Sequence, residues 1–219
     1  AEARITERQT DADAWLTTSS RFLAERRPLP DPSKRRGDPL LAADLEVYLR
    51  EHGLWDMEDT FTRQFVSNPW AGDVVKGHRI VLAELGLARY EGPIVRDPAT
   101  LQGNWSKERR AEHIVDRLAF GRALFARLGI GAVTLWRGLS TKTELREPDS
   151  GRTFVSTSCD EAVARAHYDG GGAGATHVLV QQVVPVERLF MTYLETAAMN
   201  TVFLEAEAVL LAQSGDRWP

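Results

Sequence analysis

Two glutamates, Glu205 and Glu207, stand one residue apart in an otherwise apolar stretch near the end of the chain. The stretch is typical of a β-strand, in which residues two apart project to the same face with Cα atoms about 6.5 Å apart. We therefore expect both carboxylates to address one site. Carboxylates in an apolar strand cost solvation free energy unless something uses them. The alternative is that the pair forms the solvated face of an edge strand.

Two earlier strand-like segments carry polar groups that could act with these carboxylates. Arg137 offers a planar, permanently charged fork that binds phosphate or ribose oxygens in a bidentate manner. Gly138 follows it, and the missing side chain is predicted to let a ligand approach the backbone. In the second segment, Ser156 is a small donor and acceptor that suits a residue orienting a carboxylate. Thr157 and Ser158 are predicted to cap the helix that follows.

Taken in order, these segments resemble the mono-ADP-ribosyltransferases of the arginine–serine–glutamate class. That class has an arginine on an early strand, a Ser-Thr-Ser strand before a helix, and a Glu-x-Glu motif near the end. The resemblance covers residues 131–212. It implies an α+β protein in which a helical N-terminal portion (1–130) is followed by a mixed β-sandwich ADP-ribosyltransferase core (131–219), packed as one unit. It also implies an enzyme with NAD as a substrate and no metal.

The resemblance assigns a role to each of these residues. Glu207 would stabilise the oxocarbenium-like ribose that forms when the N-glycosidic bond of NAD breaks. Ser156 would fix the rotamer of Glu207, and Glu205 would orient and polarise the acceptor. The residues that bind NAD would be Arg137, Gly138, Ser156, Thr157 and Glu207.

A glutamate at position 205 favours a protein arginine as the acceptor. A guanidinium, with a pKa above about 12, is a poor nucleophile unless an anion lies beside it. The resemblance also implies a target-recognition loop over 195–201, near Tyr193 and Met199. Two other functions share the same catalytic residues: an NAD glycohydrolase, in which water is the acceptor, and a transferase that modifies RNA. A catalytically inactive binding module is disfavoured because all three motifs are present.

Composition and charge exclude several classes of protein. The chain has 219 residues, of which 43% are hydrophobic and 26% charged, and no apolar run reaches the length of about 20 residues that spans a membrane. With Cys159 as its single cysteine it forms no internal disulfide and tolerates a reducing cytosol. Residues 1–130 are neutral, so the net charge of −4 arises in 131–219. General nucleic-acid binding is therefore disfavoured, and a cationic target is favoured.

The start of the chain bears on where the protein acts. The first residues have neither the basic nor the apolar region of a secretory signal, and the chain begins with Ala1 instead of Met. We expect a domain of a longer, delivered protein that acts in the cytosol of the producing or a target cell. By resemblance it would be a bacterial toxin or effector, with an immunity or antitoxin protein as a partner besides its acceptor.

Residue periodicity predicts the elements that position the site. Apolar residues three and four apart predict helices over 11–27, 40–52, 72–90 and 106–128, and a short helix over 159–168. Runs of β-branched and aromatic residues predict strands over 132–139, 153–158, 176–186, 188–194 and 201–212.

A few remaining residues have competing interpretations. His167 and Tyr168 would either stack against nicotinamide or pack in the core. His113 lies among arginines and is predicted to be on a solvated helix face, as are the basic clusters 34–36 and 107–110. No local grouping of His with Cys has the spacing of a metal site.

Overall fold

The computed structural model describes residues 1–69, 72–92, 95, 97–142, 153–170, 172, 174–213 and 216. These residues form seven α-helices and five β-strands, and six of the helices precede the first strand. The helices are α1 (Glu2–Ser19), α2 (Arg21–Ala24), α3 (Pro39–Glu51), α4 (Trp55–Ser67), α5 (Asp73–Glu84), α6 (Lys107–Arg127) and α7 (Glu161–Asp169). The strands are β1 (Ala132–Thr141), β2 (Phe154–Ser158), β3 (Thr176–Pro185), β4 (Leu189–Thr192) and β5 (Glu207–Leu211). The chain is therefore α+β, as predicted.

Local capping explains why some helices begin where the sequence predicts and others do not. α6 follows Ser106, whose side chain accepts a hydrogen bond from the N–H of Arg109, as expected of an N-cap. The helix predicted over 11–27 is interrupted at Ser20, whose extended backbone ends α1 and whose side chain caps α2. No predicted helix corresponds to α4, whose N-cap Leu54 makes no side-chain cap hydrogen bond.

The five strands form one antiparallel sheet in the order β3-β1-β2-β5-β4. This corrects the prediction of a mixed β-sandwich, since the described strands form one sheet and pair only antiparallel. β1 pairs with β3 along its whole length, but it pairs with β2 only at Trp136 and Ser158. β1 and β2 therefore separate beyond that single pair.

Aromatic side chains join the helices to the sheet in one continuous core. Phe61 of α4 packs edge-on against Phe190 of β4 with ring centroids 5.7 Å apart. Phe65, one turn later on α4, packs perpendicular to Phe154 of β2 at 5.6 Å. Because aromatic pairs prefer such edge-to-face arrangements, α4 is held against β4 and against β2, the strand that borders the separation. None of the described helices is both long and apolar enough to cross a bilayer.

His113 is fully buried, which corrects its predicted place on a solvated helix face. Its Nε2 lies 2.8 Å from a carboxylate oxygen of Glu58, and its Nδ1 lies 3.0 Å from Nε2 of His78. Arg110, also predicted to be solvated, is buried and donates from Nη1 to Nδ1 of His78. Because Nδ1 of His78 accepts from Arg110, the His78 proton lies on Nε2 and points to Nδ1 of His113. Burial lowers the pKa of His78 well below its usual value, and the positive charge of Arg110 acts in the same direction, in agreement with a neutral His78 ring.

Candidate functional site

A cavity of about 450 Å³ lies where β1 and β2 separate. The structure brings all six predicted site residues together in its wall: Arg137, Gly138, Ser156, Thr157, Glu205 and Glu207. The rest of the wall comes from further residues of β1 and β2, from α4 and the residues after it, from α5 and α7, and from the segment before β5. The helical portion of the chain therefore helps to form the cavity, a contribution that the sequence did not indicate.

Arg137 bridges the separation between the two strands. It directly follows Trp136, the last β1 residue paired with β2, and its Nη1 donates a hydrogen bond to the carbonyl oxygen of Ser156. One arm of the guanidinium is thereby held on β2 while the side chain borders the cavity. An arginine held in this way can present its planar fork to an anionic ligand with little further loss of side-chain entropy.

Glu207 is the first residue of β5 and is half-buried against β2. The Ser156 side chain lies near enough to lower the pKa of the Glu207 carboxyl, a proximity that a residue orienting Glu207 requires. Burial raises the pKa of Glu207, and the nearby Glu205 charge acts in the same direction, while Ser156 and Arg137 partly oppose the shift. A desolvated carboxylate facing a cavity can stabilise positive charge that develops on a ligand.

Glu205 does not lie in a strand, which corrects the prediction that it shares a strand face with Glu207. The intervening Ala206 is buried and has a φ of 46°, a left-handed conformation that L-residues rarely adopt. The Ser158 hydroxyl donates to the Glu205 carbonyl at 2.6 Å, and the N–H of Cys159 donates to the Ala206 carbonyl at 2.9 Å. Glu205 therefore lines the same cavity as Glu207 from the turn before β5, and not from the strand itself.

The two carboxylates differ in their exposure. The Glu205 side chain is 38% exposed and its Oε1 lies 3.3 Å from Nε2 of His167 on α7. His167 lines the cavity, whereas Tyr168 packs against the ring of His177 at 5.2 Å. Both residues were expected either to face a ligand or to pack in the core. The position of His167 is that of a residue at the site, and that of Tyr168 is a packing position. Glu205 thus stands at the solvent-facing rim and Glu207 inside.

Gly138 lines the cavity and also serves the packing of α7. A Cβ added at this position would lie 1.7 Å from the carbonyl oxygen of Ala164 and 3.0 Å from the backbone nitrogen of Tyr168. The space beside Gly138 is therefore filled by the backbone of α7. The glycine lets the helix approach β1 closely and so bring His167 to the cavity.

Neither Thr157 nor Ser158 caps α7, contrary to the prediction. Asp160 is the N-cap, and its side chain accepts the N–H of Ala162. The Thr157 hydroxyl donates to the Ala208 carbonyl, which ties β2 to β5. Thr157 lines the cavity with its hydroxyl already bonded in this way, and Ser158 holds the turn before Glu207.

The loop expected to recognise a target, 195–201, is partly buried, with Ala197 and Thr201 exposed. Tyr193, Glu195 and Met199 are all buried, and Met199 contributes to the cavity wall. The exposed apolar side chains come slightly later, at Val202 (66% exposed) and Phe203 (59% exposed). Phe203 lines the cavity together with Glu205, so an apolar exposed surface borders the rim carboxylate.

A second arginine in the cavity wall, Arg79 of α5, was not found from the sequence. Its Nη2 donates to the Pro69 carbonyl at 2.9 Å, and its guanidinium carbon lies 5.7 Å from the centre of the Phe154 ring. Arg79 contacts Phe154 and Arg137 contacts Ser156, and these two β2 residues are two positions apart. The contact points of the two arginines on the strand are therefore about 7 Å apart. The available signal was a charged residue on the buried stripe of α5, four residues after Val75.

No group of three or more His, Cys, Asp or Glu that could hold a metal ion occurs in the described part of the chain. Comparison with known proteins gives no match: no protein-family model, curated protein or solved structure matches the chain significantly. Function must therefore be inferred from the geometry of the cavity.

Proposed function

We propose that the chain is a mono-ADP-ribosyltransferase that cleaves NAD and transfers ADP-ribose to an arginine on a protein. The observation that carries the proposal is the asymmetric pair of carboxylates in a cavity with two arginines. Glu207 is desolvated and lies near Ser156, while Glu205 is at the rim. A diphosphate ligand needs cationic partners, and a developing ribosyl cation needs a fixed anion.

In the proposed reaction the bond between the ribose and the nicotinamide nitrogen breaks, and the bond electrons leave with neutral nicotinamide. Glu207 stabilises the resulting ribosyl cation. A nitrogen of the acceptor guanidinium attacks the same carbon, and Glu205 accepts the proton that this nitrogen loses. Arg137 and Arg79 hold the diphosphate. No step uses a metal ion, because arginines and carboxylates supply the electrostatics.

The surface around Glu205 favours a macromolecular acceptor over water. Phe203 and Val202 expose apolar side chains beside the rim, and such groups commonly mark contact surfaces for another protein. Water needs no such surface. The acidic balance of 131–219 suits a cationic acceptor and not RNA. We further propose that the protein acts in the cytosol as a toxin or effector, which an immunity or antitoxin protein would neutralise.

The test separates the two carboxylates. The protein is incubated with adenine-labelled NAD and a bacterial lysate, and nicotinamide release and macromolecular label are measured side by side. Glu207→Gln should lower both by about 100-fold or more. Glu205→Gln should lose transfer and retain much of any basal hydrolysis, because water needs no anion to orient it. Glu187→Gln, on an exposed residue outside the cavity wall, is the control.

The remaining outcomes distinguish the alternatives. Nicotinamide release without any macromolecular label would identify an NAD glycohydrolase. Label that is removed by nuclease and survives protease would identify a nucleic-acid acceptor. If the wild-type protein neither binds nor cleaves NAD, the proposed function is wrong.

A further inference from the structure

Arg117 of α6 lies at the centre of a buried chain of charged groups that links the helices to the strands. It is 1% exposed, and its Nε lies 3.2 Å from a carboxylate oxygen of Glu58 on α4. Its Nη2 donates to Oε1 of Glu195 at 2.9 Å and to the Thr196 hydroxyl at 2.5 Å. The two carboxylates raise the pKa of Arg117 despite its burial, so it is fully charged. One guanidinium therefore joins α4 to the turn after β4.

Stability alone does not account for such an arrangement. Replacing a buried ion pair by apolar groups of the same size is often neutral or stabilising, because desolvation offsets the attraction between the charges. Here one arginine and two carboxylates lose their hydration together. The position of these charged groups relative to the cavity suggests a contribution to the site instead.

The turn that Arg117 holds is closed at both ends. Glu195 accepts hydrogen bonds from the backbone N–H of Thr192, at 2.8 Å, and from the Thr192 hydroxyl. The N–H of Thr196 donates to the Thr192 carbonyl at 3.1 Å. Side chain and backbone thus fix the 192–196 turn, and Arg117 anchors it to the helical portion.

Tyr193 connects this turn to the catalytic strand. Its backbone N–H donates to the carbonyl of Glu207 at 2.7 Å, next to the Thr192–Ala208 pair of β4 and β5. Thr192, which is hydrogen bonded to Glu195, is therefore the direct neighbour of Tyr193, whose N–H holds the main chain of Glu207. A movement of the turn would move the Glu207 backbone, because the two share this hydrogen bond.

We propose that Arg117, Glu195 and Thr192 form a positioning chain that holds Glu207 in its reactive place, an inference that rests on the proposed function. None of the three lines the cavity, so they act through the backbone of Glu207 and do not touch NAD. A displacement of a catalytic group by a fraction of an ångström lowers the rate of the chemical step much more than it weakens ground-state binding. The positioning chain should therefore affect kcat much more than the KM for NAD.

The kinetic test uses Thr192, where a nearly isosteric change is available. Thr192→Val removes the hydroxyl that donates to Glu195, and Thr192→Ser keeps it. We expect Thr192→Val to lower kcat for nicotinamide release by about tenfold, with KM within about twofold, and Thr192→Ser to restore kcat. Thr62→Val is the matched control, since Thr62 is also buried and its hydroxyl bonds only to α4 carbonyls.

A second measurement needs no substrate. Amide hydrogen exchange at Tyr193 should be about tenfold faster in Thr192→Val than in the wild type, while the amide of Leu118 in α6 is unchanged. An unchanged kcat in Thr192→Val, or a loss that Thr192→Ser does not restore, overturns the positioning chain. If the wild type releases no nicotinamide, the proposed function fails. In that case an unaltered exchange rate at Tyr193 in Thr192→Val overturns the proposed link between the turn and Glu207 independently.

Discussion

Glu205 and Glu207 have the same side chain and differ in what surrounds it. Glu207 is enclosed beside β2 near Ser156, whereas the Glu205 side chain is 38% exposed beside His167. Desolvation strengthens the interaction of Glu207 with a cation formed in the cavity. Exposure leaves Glu205 accessible to an acceptor that arrives from solution. The proposed division between cleaving NAD and orienting the acceptor follows from these two environments.

Burial of Glu207 should cost stability. A carboxyl group whose pKa is raised by folding contributes stability at low pH and loses it as the pH rises from the unfolded to the folded pKa. We expect Glu207→Gln to have a higher free energy of unfolding than the wild type at pH 7, and the difference to disappear as the pH falls through the ordinary carboxyl range. Urea unfolding at several pH values measures this, with Glu187→Gln as the control. A lower stability for Glu207→Gln at pH 7 would contradict the assigned environment.

Arg137 and Arg79 should both contribute to NAD affinity. Arg137→Lys keeps the charge and loses the bidentate fork, and Arg79→Gln loses the charge, so each should weaken NAD binding by about tenfold in calorimetry. Arg63→Gln is the matched control, since this arginine of the helical portion is 73% exposed and lies outside the cavity. NAD affinity that is unaffected by either cavity substitution would remove that arginine from the binding site.

At the scale of elements, the separation of β1 and β2 creates the cavity and α7 covers part of it. The separation follows from a single pairing between these strands, and the close approach of α7 follows from Gly138. These features place Arg137 and His167 on one cavity although they lie on different elements.

Gly138→Ala should therefore act mainly on the packing of α7 against β1, and so on stability, and less on ligand binding. The added methyl group would overlap the Ala164 carbonyl, and we expect the free energy of unfolding to fall by about 2–3 kcal/mol. Gly121→Ala is the control, because a Cβ there meets no atom within 4 Å and the site is inside α6. It should be neutral or stabilising by up to about 1 kcal/mol. Equal stability of the two variants in urea unfolding would show that α7 can move away without cost.

At the scale of the whole molecule, the helical portion and the strands share one core and one site. The core cluster runs from Ile5 to Leu211, and Phe65 and Arg79 line the same cavity as Glu207. Arg117 adds charged contacts between the helices and the turn after β4, through Glu58 and Glu195. The helices thus complete the site and do not simply precede it.

A fragment of residues 131–219 should therefore neither fold cooperatively nor bind NAD. It would expose the apolar face that α4 and α6 cover, and that loss exceeds the marginal stability of a domain of this size. Circular dichroism, thermal unfolding and calorimetry with NAD measure the outcome against the full chain. A folded fragment that binds NAD would show that the helical portion is dispensable.

The sequence by itself determined the order of the elements, apart from α4 and the break between α1 and α2, and it identified the cavity residues on the strands. Arg137, Ser156 and Glu207 could be predicted because strand periodicity and residue type are local properties. The α6 helix could be predicted for the same reason, from its cap and apolar spacing. The family resemblance added roles that remain proposals.

Only the tertiary structure decided how charged groups are distributed between surface and core. His113, Arg110 and Arg117 belong to a basic stretch that is typical of a solvated helix, yet all three are buried. Their partners lie far away in sequence, as with Glu58 for His113 and Glu195 for Arg117. A charge can be buried only where opposite charges and hydrogen bonds offset its desolvation. Such partners meet only once the chain has folded, so no local pattern could reveal them.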